Sequence, residues 1–277
     1  MKNFYLTIDL EEWYHLLYFK KETDLQGDDF FIYKLQEVLK LLDKYNIKST
    51  FFVLAELARN HPNIIKEIHS KGHEISCHGL NHDLVSNKTL SQFKAELEAA
   101  KTTLEDIINE PVLGYRAPCF SLSDDSLKEL STLGFKYDSS FIKFSNHKLY
   151  GQLKMEGYQR KSDLRLVNQN NFLEFQIPTS NFLGFEIPFS GGGYLRLIPW
   201  ILFKIIFKKE ISRREEYQIF LHPFELYSGK FSLPIKTDLL SKFRFNINRR
   251  RNIHKVEQLI KIAIDKGYRF RTMKEIL

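Results

Sequence analysis

Short apolar runs alternate with longer amphipathic stretches along most of the chain. That pattern restricts the fold more than any other feature, because it belongs to α/β proteins built on a largely parallel sheet. Residues 4–8 read as a buried strand. Residues 32–45 place Leu35, Val38, Leu39 and Leu42 on one helical face, and 49–54 form the next strand. A helix over 63–70 with Gly72 at its C-cap leads to a strand over 73–77. A long helix from Thr89 to about residue 109 is ended by Pro111, followed by a strand over 112–115 and a helix capped at 123–126 that stops near Gly134. The rhythm then breaks. From about 141 to 192 only two strand-like runs stand out, 172–177 and 185–188. A Gly191-Gly192-Gly193 turn then opens an apolar, basic helix over 198–209, with a strand over 217–221, a closing helix over 253–266 and a last strand over 268–272. No internal repeat occurs, and no glycine fingerprint follows the first strand. Six or seven βα units in one domain spanning 1–277, with a β-rich insertion around 141–192, predict a distorted, incomplete (β/α)7-type barrel.

Composition removes several classes. With 277 residues, 43% apolar and 27% charged, the chain can bury a core and is neither disordered nor a multi-span membrane protein. Two cysteines, Cys77 and Cys119, are too few for a disulfide-stapled scaffold. The residues after Met1 lack an apolar leader, which suggests a cytoplasmic location. The net charge of +7 is clustered at Lys208-Lys209, Arg213-Arg214 and Arg249-Arg250-Arg251. No nucleic-acid-binding signature accompanies it, so nucleic acid is not an expected partner.

In parallel α/β folds reactive groups collect at the carboxyl ends of strands. At the end of the first strand Asp9 and Glu11, two apart, face the same side, and their mutual repulsion calls for a metal or an arginine nearby. The third strand ends in His78-Gly79-Leu80-Asn81-His82-Asp83, with two imidazoles at a spacing suited to one metal ion. Gly114-Tyr115-Arg116-Ala117-Pro118-Cys119-Phe120, Tyr137-Asp138-Ser139-Ser140 and Leu221-His222-Pro223 end later strands. Taken singly, each of these has a bland reading as loop acids, chance histidines or a surface ion pair.

As an ordered set, the acidic first strand, HGLNHD, YRAPCF, YDSS and LHPF resemble the polysaccharide deacetylase family, also called carbohydrate esterase family 4. Its members remove N- or O-acyl groups from sugars on a distorted barrel. The resemblance covers residues 4 to about 225 and the closing segment around 269–273. It implies that Asp9 is the catalytic base and that His78 and His82 ligate one divalent metal ion, most often zinc. Many members carry a second aspartate directly after the first, where this chain has Leu10. The Asp-x-Glu arrangement resembles a branch of the family with the ligand one residue further on, which implies Glu11 as the third ligand, with Glu12, expected to point away on an extended strand, as the alternative. Arg116 is implied to hold Asp9 ionised. The same resemblance implies that Pro118 and Phe120 shape the substrate loop and that the Cys119 N–H stabilises the oxyanion. It also implies that His222 is the general acid and Asp138 the carboxylate that keeps its imidazole protonated.

The segment Ile187-Pro188-Phe189-Ser190-Gly191-Gly192-Gly193-Tyr194-Leu195-Arg196 resembles relatives encoded with bacterial surface-polysaccharide machinery. The expected substrate is thus an N-acylated, most often N-acetylated, sugar that is nucleotide-linked, lipid-linked or part of an oligosaccharide. The helix over 198–209 offers either a packing surface or a peripheral contact with the inner membrane face. Two alternatives stand beside this: a metal-independent amidohydrolase on a non-sugar amide, and a non-catalytic glycan-binding barrel. The oligomeric state is not legible.

Overall fold

The computed structural model describes residues 1–277 except 17–18, 20–28, 145–146, 148, 183 and 234–236. The positions of the insertion at 145–146, 148 and 183 therefore lie outside the described residues. In chain order the strands are β1 (Lys2–Leu10), β2 (Thr50–Val53), β3 (Glu74–Cys77), β4 (Gly114–Tyr115), β5 (Tyr137–Asp138), β6 (Gln159–Arg160), β7 (Arg165–Val167), β8 (Leu173–Phe175), β9 (Ser180–Phe182), β10 (Phe185–Ile187), β11 (Glu216–Leu221) and β12 (Tyr268–Phe270). The helices are α1 (Gln36–Lys44), α2 (Ala55–Asn60), α3 (Pro62–Ser70), α4 (Leu90–Ile108), α5 (Asp124–Thr132), α6 (Gly192–Leu197), α7 (Trp200–Ser212), α8 (Pro223–Leu226), α9 (Leu239–Asn246) and α10 (Asn252–Asp265).

One curled sheet runs in the order β11-β1-β2-β3-β4-β5-β8-β7-β6, with β12 beside the start of β1. The neighbours from β11 to β8 pair in parallel, and β8, β7 and β6 continue antiparallel. This is the distorted, incomplete (β/α)7-type barrel that the alternation of elements predicts. Burial on both faces is why β1 and β2 read as continuous apolar runs. Along β1 the side chains alternate. Phe4, Leu6, Ile8 and Leu10 join the main core under the helices, while Tyr5 faces inward onto Phe52, Tyr137, Phe175 and Met273. Thr7, Asp9 and Glu11 share the register of Tyr5, so the same period of two carries the polar residues to the inner, upper end of the barrel.

No backbone ladder joins the two sheet edges among the described residues. Side chains bridge the seam instead: the Gln218 amide on β11 donates to the carbonyls of Phe175 at 3.1 Å and Gln176 at 2.8 Å. Arg165 on β7 forms an ion pair with Glu216 on β11 at 2.8 Å. At the lower end Glu74 is buried. It accepts from Thr50 Oγ1 at 2.7 Å, Tyr137 Oη at 2.8 Å and the Lys274 N–H at 3.0 Å, which fastens the C-terminal turn under the barrel.

Two expectations need correction. The insertion holds more strand than the sequence suggested. β6, β7 and β9 went unread because Gln159–Arg160 and Arg165–Val167 are short, polar and partly exposed, and pair only locally. The three glycines do not form a turn before a single helix: Gly192 and Gly193 lie in the first turn of α6, and α7 follows as a separate helix. Among the described residues no helix is long and apolar enough to cross a membrane.

The seam yields a test. Replacing Gln218 with Leu leaves two carbonyls of the insertion without their donor. The expected loss in urea-unfolding stability is about 2–4 kcal/mol, against near-neutral substitutions at exposed positions.

Candidate active site

Arg116 follows β4 and is fully buried. Its Nη1 donates to Asp9 Oδ1 at 2.6 Å and Thr7 Oγ1 at 2.8 Å. Its Nη2 donates to Ser139 Oγ at 2.9 Å and Gln218 Oε1 at 3.2 Å, and its Nε to the Ser139 carbonyl at 3.1 Å. All five N–H groups are therefore used, and the guanidinium stacks 4.0 Å over the Phe52 ring. The bland reading of a plain surface ion pair does not hold. The pair is dry, and Arg116 aims the Asp9 carboxylate.

Beyond Asp9 the next inward residue is Glu11. Its Oε1 lies 2.9 Å from His78 Nε2, 3.0 Å from His82 Nε2 and 3.9 Å from His222 Nε2. Burial alone would raise the Glu11 pKa, but the surrounding imidazoles outweigh it and hold the carboxyl well below the usual range. The donor inventory at His78 is informative. Its Nδ1 faces the Arg116 carbonyl at 2.7 Å, and a carbonyl only accepts, so Nδ1 carries the hydrogen. In the neutral ring Nε2 then presents a lone pair to a carboxylate oxygen 2.9 Å away. Two facing acceptors need a cation between them, either a proton on the ring or a metal ion. Glu11, His78 and His82 fit a divalent metal, all three being buried with ligand atoms within 4.8 Å of one another. Glu12 does not reach this cluster: its carboxylate accepts the Ile32 N–H at 2.7 Å, and burial pushes its pKa up to about 7.

His222 caps the short helix α8 and faces the same space, with one ligand atom each of Asp9, Glu11 and His222 inside 4.8 Å. Its partner differs from the expected one. The His222 Nδ1 meets Glu225 Oε2 at 3.0 Å, while Asp138 accepts from Ser140 N at 2.9 Å and Ser140 Oγ at 2.8 Å. Ser140 Oγ in turn accepts the Ala117 N–H at 2.8 Å, so Asp138 acts on the Arg116–Phe120 loop rather than on the imidazole. Asp138 also abuts Glu174. Burial raises both carboxyls, Asp138 to about 6.

Glu225 is the residue that sequence reasoning missed, although the signal was present: a histidine, a proline and then a glutamate three residues on is capping-box spacing. Its other oxygen takes an ion pair from Arg196 Nε at 2.9 Å. A Cβ on Gly192 would lie 1.9 Å from Glu225 Oε2. Thus the glycine and the arginine of the Ile187–Arg196 segment both serve to seat Glu225 against His222. Burial would lower the His222 pKa, but Glu11, Glu225 and Asp9 raise it to about 9.

Asp9, Glu11, His78, His82 and His222 form the floor of a cleft of about 600 Å³. Its walls carry the apolar side chains of Leu16, Leu84, Phe120, Tyr150 and Phe220 together with His147 and Arg244, and Phe120 is edge-on to Phe220 at 5.0 Å. Pro118 is buried in the turn below, while Cys119 and Phe120 at the lip have φ values of +50° and +55°. Two successive left-handed non-glycine residues are costly and cluster at functional sites.

Residues 28–137 match the family model described as polysaccharide deacetylase, and residues 139–277 match that of a domain of unknown function, DUF3473. The two matches meet at β5, within one continuous sheet. Among curated proteins, the chain is 29% identical over 100 residues to a peptidoglycan-N-acetylglucosamine deacetylase of Bacillus cereus, 36% of this chain and 46% of that one. It is 29% identical over 117 residues to the peptidoglycan-N-acetylmuramic acid deacetylase PdaA of Bacillus subtilis, 42% of this chain and 44% of that one. The chain thus spans less than half the length of these relatives. Among solved structures, a candidate polysaccharide deacetylase from Mycobacterium smegmatis superposes with a TM-score of 0.62 at 18% identity, covering 99% of this chain and 89% of that one. A CE4 family pseudoenzyme from Bacillus anthracis superposes with a TM-score of 0.56 at 12% identity, covering 99% and 64%. These likenesses show the fold, and the pseudoenzyme shows that the fold alone does not confer turnover.

The charge layout gives a pH prediction. In metal-free protein His222, followed by NMR, titrates near 9, and its charge stabilises the fold fully below the unfolded value of 6.5 and progressively less as pH rises through 9. Adding a divalent ion neutralises Glu11 and lowers this pKa, and Gly192→Ala lowers it by displacing Glu225.

Proposed function

We propose that this chain, which belongs to the polysaccharide deacetylase family, is a metal-dependent N-deacetylase acting on N-acylated sugars during bacterial surface-polysaccharide assembly. One observation carries the reading. A carboxylate–arginine pair, a three-acceptor cation cluster and a carboxylate-backed imidazole meet on the floor of a single cleft. The names of the peptidoglycan deacetylase relatives support a sugar amide as substrate, and the aromatic rim of Phe120, Tyr150 and Phe220 suits the apolar face of a sugar ring. The resemblance of the Ile187–Arg196 segment supports the surface-polysaccharide setting.

Glu11, His78 and His82 are the residues that would hold the ion, zinc being the expected one. When bound, such an ion supplies Lewis acidity, polarising the acyl carbonyl and making water more acidic. The chain's own groups do the rest. Asp9, aimed by Arg116, accepts a proton from the attacking water as its oxygen bonds to the carbonyl carbon. The Cys119 N–H, on the tight turn at the lip, donates to the carbonyl oxygen as charge builds there. Protonated His222, backed by Glu225, gives its proton to the sugar nitrogen as the C–N bond breaks, leaving a carboxylate and an amine.

Acetate release from N-acetylated chitooligosaccharides and peptidoglycan fragments, measured on metal-supplied protein, tests this. Asp9→Asn and His222→Ala are each expected to lower kcat by about 10²- to 10⁴-fold with the metal retained. Equal release by wild type and both variants, or none by wild type on any acetylated sugar, overturns the reading.

A further inference from the structure

A second hollow, of about 1060 Å³, lies outside the cleft where the start of α7, the end of α9 and the start of α10 meet. Trp200, Arg249, Arg250, Arg251, His254 and Lys255 line it, and among the described residues no Asp or Glu does. Its cations are held by neutral groups. Arg249 Nη1 and Nη2 donate to the carbonyls of Tyr227 at 3.0 Å and Gly229 at 3.1 Å, Arg250 Nε to that of Ser228 at 3.2 Å, and Lys255 Nζ to that of Leu195 at 2.9 Å. The Arg249 side chain is buried, and its Nε–H has no hydrogen-bond partner among the described residues. Four positive side chains are thus gathered in one concavity without a carboxylate among the described residues of its lining, although each would be better stabilised by an anion.

The surface leading from this hollow is apolar. α7 buries Phe203, Phe207 and Ile211 against the barrel and turns Ile201, 72% exposed, and Ile205, 60% exposed, outward with Leu202. Lys208 and Lys209 follow on the exposed side of the same helix. α9, whose Asn246 also lines the hollow, exposes Leu239 at 84% together with Leu240 and Phe243. Apolar side chains bordered by cations, with anion-seeking groups between them, complement a surface that offers phosphate above hydrocarbon.

We propose that this face docks on an anionic phospholipid surface, with lipid phosphates entering the basic hollow and Ile201, Leu202 and Ile205 entering the interfacial layer. The inference goes beyond the catalytic reading and uses no residue of the cleft. It makes α7 both a wall of the barrel and a membrane contact.

Vesicle flotation tests it. Wild type is expected to float with phosphatidylcholine vesicles containing phosphatidylglycerol and not with phosphatidylcholine alone. The pair Arg250→Ala/Arg251→Ala removes two exposed cations at about fivefold each, so partitioning falls roughly 25-fold. Ile201→Ser/Ile205→Ser is expected to weaken it about tenfold or more. Both variants should keep wild-type circular dichroism and wild-type metal content, so failure of docking is separable from failure of the catalytic proposal. Flotation that is absent or indifferent to phosphatidylglycerol overturns the proposal. So does binding that the serine pair leaves intact while inorganic pyrophosphate competes it away, because the hollow then serves a soluble phosphate. Equal capture by duplex DNA would overturn it as well.

Discussion

A guanidinium sealed from water must satisfy every N–H inside the protein, and Arg116 does so by drawing on three strands besides its own. Thr7 and Asp9 come from β1, Ser139 from the end of β5 and Gln218 from β11, with Phe52 of β2 stacked beneath. Removing one partner of a buried ion pair costs about 3–5 kcal/mol, because the other charge is left uncompensated. The geometry around this one cation is therefore over-determined. Gln218 joins this network to the seam, since the same amide that accepts from Arg116 donates across to the insertion. The orientation of Asp9 and the closure of the barrel are consequences of one hydrogen-bond inventory.

Around that centre, charge is arranged in two layers. Asp9 and Glu11 supply negative charge on the floor, and the nearest cations are deliberately unlike. Arg116 is permanent and sealed, whereas His222 faces the cleft with Glu225 behind it. A carboxylate neutralised by a permanent cation is available as a base, and an imidazole placed between two carboxylates keeps its proton into alkaline solution. Between them, His78 donates its Nδ1–H to a backbone carbonyl and turns its Nε2 toward the Glu11 carboxylate, with His82 Nε2 near the same oxygen. A proton on the ring or a metal ion resolves the meeting of His78 Nε2 and Glu11.

Much of this was legible in the sequence, for stated physical reasons. Continuous apolar runs and period-two alternation locate β1, β2 and β3, and a strand's alternation alone sets Glu11 on the side of Asp9 and turns Glu12 away. The capping box at Thr89 and the left-handed Asn109 bound α4 where residue chemistry says they should. Other parts were hidden. β6 and β7 are held by a local hairpin rather than by an apolar pattern, and Gly192 stands in the first turn of α6 because close packing against Glu225 outweighs helix propensity. Asp138 was assigned to His222 on the strength of a motif. The chain instead places Glu225 there, three residues from the histidine it serves, and leaves Asp138 to hold Ser140 beneath the Arg116 loop. Roles filled from within a short helix are easier to read from spacing than roles filled across a barrel, where only the fold brings the partners together.

Glu11, His78 and His82 converge on one point at the floor of the cleft, where a divalent ion would sit. Elemental analysis of chain purified without chelator, beside Glu11→Gln and Glu12→Gln, tests that claim directly. The expected result is about one divalent ion per chain in wild type and in Glu12→Gln, and essentially none in Glu11→Gln. A wild type that holds no zinc, cobalt or nickel when they are supplied, or a Glu11→Gln variant that holds as much as wild type, would contradict it.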